Sequence, residues 1–215
     1  AFMLTLMATI LVNNTVTSLM MPRMSQAKDD AHLQRLYEMT GSATMMLMAL
    51  FIIGTAILGP FVMTLLFGAK YAPATSYLLP LAIMQAIRTT RVATDITAMA
   101  KAQTRIPLYT NIMRVFGFPV SYLFAFLTGD IYLMIGTGVC AEIVTCLYSA
   151  LLTRRRIGLS SRRFLLALGA FTLLSAVVYG ISQAWLPWWT IAPAVGLFLF
   201  AIRDLLMNYK ALLHS

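Results

Sequence analysis

The sequence predicts an all-α protein, a polytopic membrane bundle of about seven transmembrane helices. Of its 215 residues, 60% are hydrophobic, and the apolar runs are continuous over about 20 residues, the length at which a helix crosses a bilayer. Transmembrane barrel strands would instead alternate with a period of two. The runs, named A to G in chain order, cover residues 1–20, 43–67, 76–100, 107–127, 131–152, 164–182 and 187–207.

Positive charge alternates along the chain in step with these runs. The segments after runs A, C, E and G contain twelve lysines and arginines, whereas the segments after B, D and F contain only Lys70. Because lysine and arginine favour the cytoplasmic side, we predict that the twelve charges and the C-terminus face the cytoplasm. The twelve are Arg23, Lys28, Arg35, Lys101, Arg105, Arg154, Arg155, Arg156, Arg162, Arg163, Arg203 and Lys210.

The net charge of +9 is therefore attributed to topology, and no nucleic-acid partner is expected. Helices that are apolar around most of their circumference leave no basic face on a soluble core. Cys140 and Cys146 are predicted to be reduced packing residues, since a metal site needs more ligands; no metal and no cofactor are expected. His32 and His214 fall in polar segments, and the chain has no glycine-rich phosphate loop or paired-carboxylate motif, so no enzyme is predicted.

The connecting segments predict further local structure. Residues 22–41 place apolar and charged side chains at helical spacings, which predicts a short amphipathic helix on the cytoplasmic surface. Gly68 and Pro73 predict a tight outer turn. The outer boundary between runs F and G is marked by an aromatic cluster that anchors helices at the headgroup level. That cluster comprises Trp185, Trp188 and Trp189.

Two features concern the course of the chain itself. Run A begins at residue 1 without an initiator Met, so we expect a chain that is normally preceded by further helices. Gly59-Pro60 in run B and Pro119 in run D are expected to bend their helices, which membrane bundles tolerate.

Ionisable residues within the apolar runs are the candidates for function. Arg88, Arg91 and Asp95 of run C fall within about 60° on one helical face. Each of runs D and E carries one narrow polar stripe as well, and run A carries an uncharged one. We expect the stripes to converge on one cavity, because charged groups in a bilayer face water or a partner. The candidates are Arg88, Arg91 and Arg114 as anion contacts, Asp95 and Glu142 as ion-coupling sites or counter-charges, and Asn13, Gln85, Asn111 and Thr145 as polar lining.

The charge balance of this set favours an anionic ligand. Three arginines face two carboxylates, which leaves one surplus positive charge, whereas a purely structural network would tend towards neutrality. In the structural alternative, Arg91 pairs with Asp95, and Glu142 pairs with Arg88 or Arg114, as links between helices.

Three stretches resemble a known family. They are similar to links and turns of the polysaccharide and oligosaccharide flippases of the MOP (multidrug, oligosaccharidyl-lipid, polysaccharide) exporter superfamily. The first stretch is residues 22–37, with a charged segment leading into QRLYE. The other two are residues 65–87, LLFGAKYAPATSYLLPLAIMQAI, and residues 101–124, KAQTRIPLYTNIMRVFGFPVSYLF. The resemblance covers about residues 1–155, which would be helices of the second half of such a transporter. Residues 156–215 would add two peripheral transmembrane helices and a short cytoplasmic tail.

The resemblance implies a protein of the bacterial inner membrane that moves an isoprenoid diphosphate carrying an oligosaccharide, by alternating access, for surface polysaccharide synthesis. Its implied partners are membrane lipid, the lipid-linked oligosaccharide, the N-terminal half of the transporter and a polysaccharide polymerase. One alternative is a multidrug or toxin exporter of the same superfamily, whose cationic substrates would favour surplus acidic residues in the cavity. A second is a polytopic polysaccharide polymerase or ligase, which usually needs a sizeable outer loop. A third is a scaffold protein without transport activity.

Overall fold

A computed structural model describes residues 2–27 and 29–213, and in this part of the chain all regular structure is helical. Short 3-10 helices at Ala69–Tyr77 and Trp188–Thr190 connect longer α-helices. The α-helices are α1 Phe2–Ser25, α2 Asp30–Phe67, α3 Leu78–Thr90, α4 Val92–Ala100, α5 Arg105–Thr128, α6 Ile131–Ile157, α7 Arg162–Ser182 and α8 Ile191–Leu213. The all-α prediction is confirmed for these residues.

Five of the helices, α1, α2, α5, α6 and α7, are long and apolar enough to cross a membrane. Large apolar side chains lie exposed on several of them, for example Phe116 at 70% and Leu65 at 70%. Such exposure is expected where lipid rather than water surrounds a helix. Run C is divided between α3 and α4, and a further apolar helical segment covers Trp188–Arg203 within the described residues.

Two threonine hydroxyls flank the point at which run C is divided. The α-helix is interrupted at Arg91, although no glycine or proline lies nearby. Thr90 Oγ1 donates to the carbonyl of Ile87 at 2.7 Å, and Thr94 Oγ1 donates to that of Arg91 at 2.6 Å. Hydroxyls that bond back to helix carbonyls compete with the backbone ladder and bend helices.

The structure differs from the predicted separate surface helix over residues 22–41. Helix α1 continues to Ser25, and residues from Asp30 onwards form the first turns of the long helix α2. Leu33 and Tyr37 are fully buried, because this part of α2 packs beneath α7. The amphipathic spacing correctly predicted a helix, but the apolar face of this part of α2 packs against protein instead of a membrane surface.

The centre of the bundle lies where α2 packs against α7. The rings of Tyr37 and Phe164 lie 5.4 Å apart between centroids. Gly41 permits this approach, since a Cβ atom at that position would lie 2.9 Å from Cδ2 of Phe164. Helices α1, α3, α4 and α8 also contact α2, which makes it the helix that holds the bundle together.

Helix ends that carry the predicted cytoplasmic charges gather on one side of the bundle, here called the basic end. Lys101 Nζ at the end of α4 lies 2.9 Å from Asp30 Oδ1 at the start of α2. Gln34 of α2 donates to the carbonyl of Ser160, next to α7, at 2.8 Å. At the opposite end, the tryptophan end, the ring of Tyr179 lies 5.9 Å from that of Trp185.

The turn after α2 follows the sequence signal for helix termination. Helix α2 ends at Phe67, and Gly68 follows with φ of 83°, a conformation that glycine adopts at least cost. The predicted glycine stop is therefore confirmed. Pro73 lies within the 3-10 helix that follows, several residues before α3 begins. Pro60 and Pro119 both lie inside continuous helices.

Helices α3 to α6 form the part of the bundle that holds the candidate residues. Thr90 and Thr94 meet Cys146 and Ser149 in the same order along the chain, so α3 and α4 run in the same direction as α6. Helix α5 returns in the opposite direction and packs closely on α6. At their contact a Cβ atom on Gly117 would lie 3.1 Å from Cβ of Ala141.

Candidate functional site

The five charged residues singled out in the membrane runs converge between α3, α4, α5 and α6. Arg88, Arg91 and Arg114 all lie near Glu142. Asp95 in turn interacts with Arg91 and Arg114. These five residues, the charged cluster, therefore occupy one region of the bundle, as their helical spacing predicted.

Arg91 is the most firmly held member of the charged cluster. Its Nε lies 3.2 Å from Oδ2 of Asp95, and its Nη2 donates to Oδ1 of Asn111 at 3.0 Å. The residue is only 6% exposed, and its Nη1 has no hydrogen-bond partner. Arg91 thus connects α4 and α5 across the break that follows α3.

Glu142, Arg88 and Arg114 are arranged differently from this pair. No salt bridge involves them among the residues that the structure describes. Glu142 is 6% exposed, and both its Oε2 and Nε of Arg114 are buried without a hydrogen-bond partner. Because a buried charge without a partner is costly, these groups are suited to accept a polar ligand, an ion or water.

The structural alternative is therefore realised for one pair. Arg91 pairs with Asp95, as that alternative predicted. Glu142 interacts with the arginines through space but forms no contact pair with Arg88 or Arg114 in the described chain. Within the cluster, the surplus positive charge is associated with these two arginines.

Small side chains hold the helices around the cluster together, and this role was missed in the sequence. Ser149 Oγ donates to Oγ1 of Thr94 at 2.7 Å, and Cys146 Sγ donates to the carbonyl of Ile87 at 3.4 Å. Thr90 Oγ1 lies 3.8 Å from the same sulfur atom. Thr90 and Thr94 stand next to Arg91 in run C, so threonines beside an intramembrane arginine were the available signal.

The predicted polar lining residues occupy unequal positions. Asn111 is exposed and contacts Arg91, whereas Thr145 is buried and donates to the carbonyl of Ala141 in its own helix at 2.7 Å. Gln85 is 1% exposed, and its Nε2 has no hydrogen-bond partner. Asn111 and Gln85 therefore retain polar atoms for a ligand, while the hydroxyl of Thr145 is already engaged.

Asn13, the predicted lining residue of α1, lies on a helix that contacts α3 and α4. Its Oδ1 is buried and has no hydrogen-bond partner. Helix α1 packs on α3 and α4, and Met24 Sδ accepts from Thr97 Oγ1 at 3.4 Å. Since parallel helices rise equally per residue, this contact places Asn13 close to the level of Gln85.

Access to the charged cluster is from one side. Arg88 and Arg114 are half-buried and Asn111 is exposed, whereas Glu142 lies deeper. An apolar cavity of about 340 Å³ lies between α3, α6 and α7, where Ile87 and Val139 are among its walls. None of the charged cluster lines that cavity, so the two features are separate.

Comparisons with protein-family models, with curated proteins and with solved structures found no match to this chain. The structure itself defines the class of protein. It is an all-helical protein whose long apolar helices support embedding in a membrane, with a cluster of charged residues at the junction of α3, α4, α5 and α6.

Proposed function

We propose that this chain forms the second half of a transporter that translocates a lipid-linked oligosaccharide, bound through its isoprenoid diphosphate, across the bacterial inner membrane by alternating access. The observation that carries the proposal is the charge balance of the charged cluster. Three guanidinium groups meet two carboxylates there, and among the described side chains Arg91 and Asp95 are the one pair within the cluster that forms an ion pair. A site with surplus positive charge inside apolar helices is matched to an anion.

Guanidinium groups suit a diphosphate for a geometric reason. Their planar fork donates two parallel hydrogen bonds to oxygens on one phosphorus atom, and these bonds strengthen where water is excluded. Arg88 and Arg114 are the members of the cluster that are both half-buried and outside any ion pair in the described chain. They are proposed as direct contacts of the diphosphate.

Arg91 would act beside them in a more fixed position. Asp95 and Asn111 orient its guanidinium group, and Nη1 remains available for a third contact. The unengaged amide atoms of Gln85 and Asn13 would meet polar groups adjoining the diphosphate. The opposite wall of the cavity would come from the N-terminal half of the transporter, and a polysaccharide polymerase would use the translocated product.

Glu142 is proposed as the group that responds to the coupling ion. Before the diphosphate binds, the carboxylate of Glu142 lies close to the arginines and limits the repulsion among their three positive charges. Binding of the diphosphate supplies negative charge in its place. Glu142 can then take up a proton or a cation, whereas Asp95 remains bound to Arg91.

The test uses single substitutions in the complete transporter. Arg88→Ala and Arg114→Ala are expected to abolish surface polysaccharide while the amount of inserted protein stays unchanged. Arg105→Ala, which removes an exposed charge from the start of the same helix as Arg114, serves as the matched control and should retain export. Normal export in both cluster variants would remove the proposed substrate contacts.

A direct uptake assay separates the nearest alternative. Vesicles that contain the complete transporter are supplied either with an isoprenoid diphosphate oligosaccharide or with a lipophilic cationic drug. The proposal expects movement of the first substrate and its loss in Arg88→Ala. Movement of the drug alone would instead assign the chain to the cation exporters.

A further inference from the structure

A second feature, at the basic end, is independent of the charged cluster. A cavity of about 380 Å³ is lined by Arg154, Ser160 and Arg162 together with Leu165 and Leu166. The same two leucines line a cavity of about 520 Å³ between α7 and α8. The shared leucines join the two cavities into one groove, the basic groove, with a cationic mouth and an apolar body.

At the mouth of the basic groove, the carboxylates whose side chains the structure describes neutralise only part of the positive charge. Arg163 lies 3.2 Å from Oε2 of Glu38, which compensates its charge. Arg154 and Arg162 are exposed and take part in none of the salt bridges formed within the described residues. Two guanidinium groups are therefore available at one position on the surface.

The body of the groove is mainly apolar, and Arg163 is the charged residue among those that line it. Leu166 is 61% exposed and Leu173 is 48% exposed on α7, and Phe200 of α8 is 70% exposed. These side chains line the hollow between the two helices on the outside of the bundle. Hydrocarbon covers such a surface favourably, whereas water does not.

The combination specifies one kind of ligand. Basic pockets between helices at the cytoplasmic surface hold anionic headgroups, and an apolar hollow directly beneath accepts an acyl chain. A free phosphate or a nucleotide would leave the apolar body uncovered. A zwitterionic lipid would add a second positive charge next to the arginines.

We propose that the basic groove binds an anionic glycerophospholipid of the bilayer. Arg154 and Arg162 contact its phosphate, and one acyl chain follows Leu165, Leu166 and Leu173 towards Phe200. The bound lipid fills the hollow between α7 and α8 and fastens α8 to the rest of the bundle.

The headgroup contact is tested by native mass spectrometry of the full chain in detergent, titrated with dioleoyl phosphatidylglycerol or dioleoyl phosphatidylcholine. The variant Arg154→Gln/Arg162→Gln should bind phosphatidylglycerol about tenfold more weakly than the unchanged chain. The control Arg155→Gln/Arg156→Gln removes the same number of charges from the exposed last turn of α6, next to Arg154 but outside the cavity walls, and should bind nearly as the unchanged chain does. Equal weakening by both double variants would indicate diffuse attraction and would overturn the proposal.

The acyl-chain contact is tested by filling the body of the groove. Gly169 lines it, and an added Cβ atom there meets no atom within 4 Å, so the backbone position accepts a side chain and Gly169→Leu is chosen to obstruct the groove. Gly196→Leu is the control, because this residue of α8 is equally open and lies outside the walls of the groove. Only Gly169→Leu should reduce phosphatidylglycerol binding, and unchanged binding would refute the acyl-chain contact.

A competition experiment separates a lipid from a free anion. An excess of inorganic phosphate should leave phosphatidylglycerol bound, because phosphate gains nothing from the apolar body. Displacement by phosphate would show a simple anion site and would overturn the lipid assignment. Elution of each variant as a single species on size exclusion establishes that it is folded, and the glycine pair tests the groove even if the double arginine variant fails this criterion.

Discussion

Nε of Arg91 lies 3.2 Å from Oδ2 of Asp95, across the point where α3 gives way to α4. The two side chains are 7% and 18% exposed, so the ion pair is largely shielded from the surroundings. Asn111 adds a hydrogen bond from α5. This arrangement neutralises one of the three arginines of the charged cluster, and the positive surplus is associated with Arg88 and Arg114.

Removal of Arg91 should destabilise the bundle through the carboxylate that remains. Arg91→Leu leaves Asp95 partly buried without its ion-pair partner, which is expected to lower the free energy of unfolding by about 3 kcal/mol. Denaturant unfolding of the detergent-solubilised protein measures this difference. The double variant Arg91→Leu/Asp95→Leu leaves no uncompensated charge and should recover most of the loss. A double variant as unstable as the single one would contradict this explanation.

Packing at the centre of the bundle depends on the small size of Gly41. Gly41→Ala places a methyl group 2.9 Å from the ring of Phe164, which Tyr37 backs, so the ring has to shift. We expect a loss of about 1 to 2 kcal/mol in thermal or chemical unfolding. Gly54→Ala in the same helix meets no atom within 4 Å and should instead raise stability by up to about 1 kcal/mol. Equal effects at both positions would contradict the packing argument.

Glu142 and Asp95 should respond differently when each is replaced by its amide. Glu142→Gln cannot take up and release a proton, so transport in vesicles should lose its acceleration by a proton gradient while folding is retained. Asp95→Asn weakens the ion pair with Arg91 and should first reduce the amount of folded protein. Full acceleration by the gradient in Glu142→Gln would exclude Glu142 as the proton-coupled carboxylate.

The predicted orientation is open to direct labelling in a variant without Cys140 and Cys146. Trp188 is 78% exposed at the tryptophan end, and Arg155 is exposed at the basic end. A membrane-impermeant maleimide should label Trp188→Cys in intact spheroplasts and Arg155→Cys only after lysis, because lysine and arginine favour the cytoplasmic side. The reverse pattern of labelling would invert the topology.

Helix content and several helix ends could be predicted from the sequence, but the break in run C and the start of α2 could not. Apolar runs of sufficient length fixed α1, α2, α5, α6 and α7, and Gly68 marked the end of α2 as expected. The interruption at Arg91 was not predicted, because the apolar run is continuous across it and a break of one residue leaves no mark in hydropathy. Residues 30–41 were correctly assigned to a helix, yet only the packing of α2 beneath α7 shows that this segment is buried.

Spacing along single helices likewise indicated which charged residues would lie near one another, but not which of them would form ion pairs. Arg88, Arg91 and Asp95 share a helical face, and the sequence predicted that the stripes on runs D and E would join them. Whether a given arginine pairs with a given carboxylate depends on differences of a few ångströms between helices, which periodicity does not resolve.

The sequence by itself determined that this chain forms long apolar helices and that lysine and arginine are concentrated in every second connecting segment. It also determined that the few charged residues within the apolar runs lie on narrow helical faces. These properties follow from length, composition and the 3.6-residue repeat. The tertiary structure alone decided the pairing of Arg91 with Asp95 and Asn111, the separation of Glu142 from a contact partner, and the groove between α7 and α8. Each of these results from the packing of side chains that lie far apart in the chain.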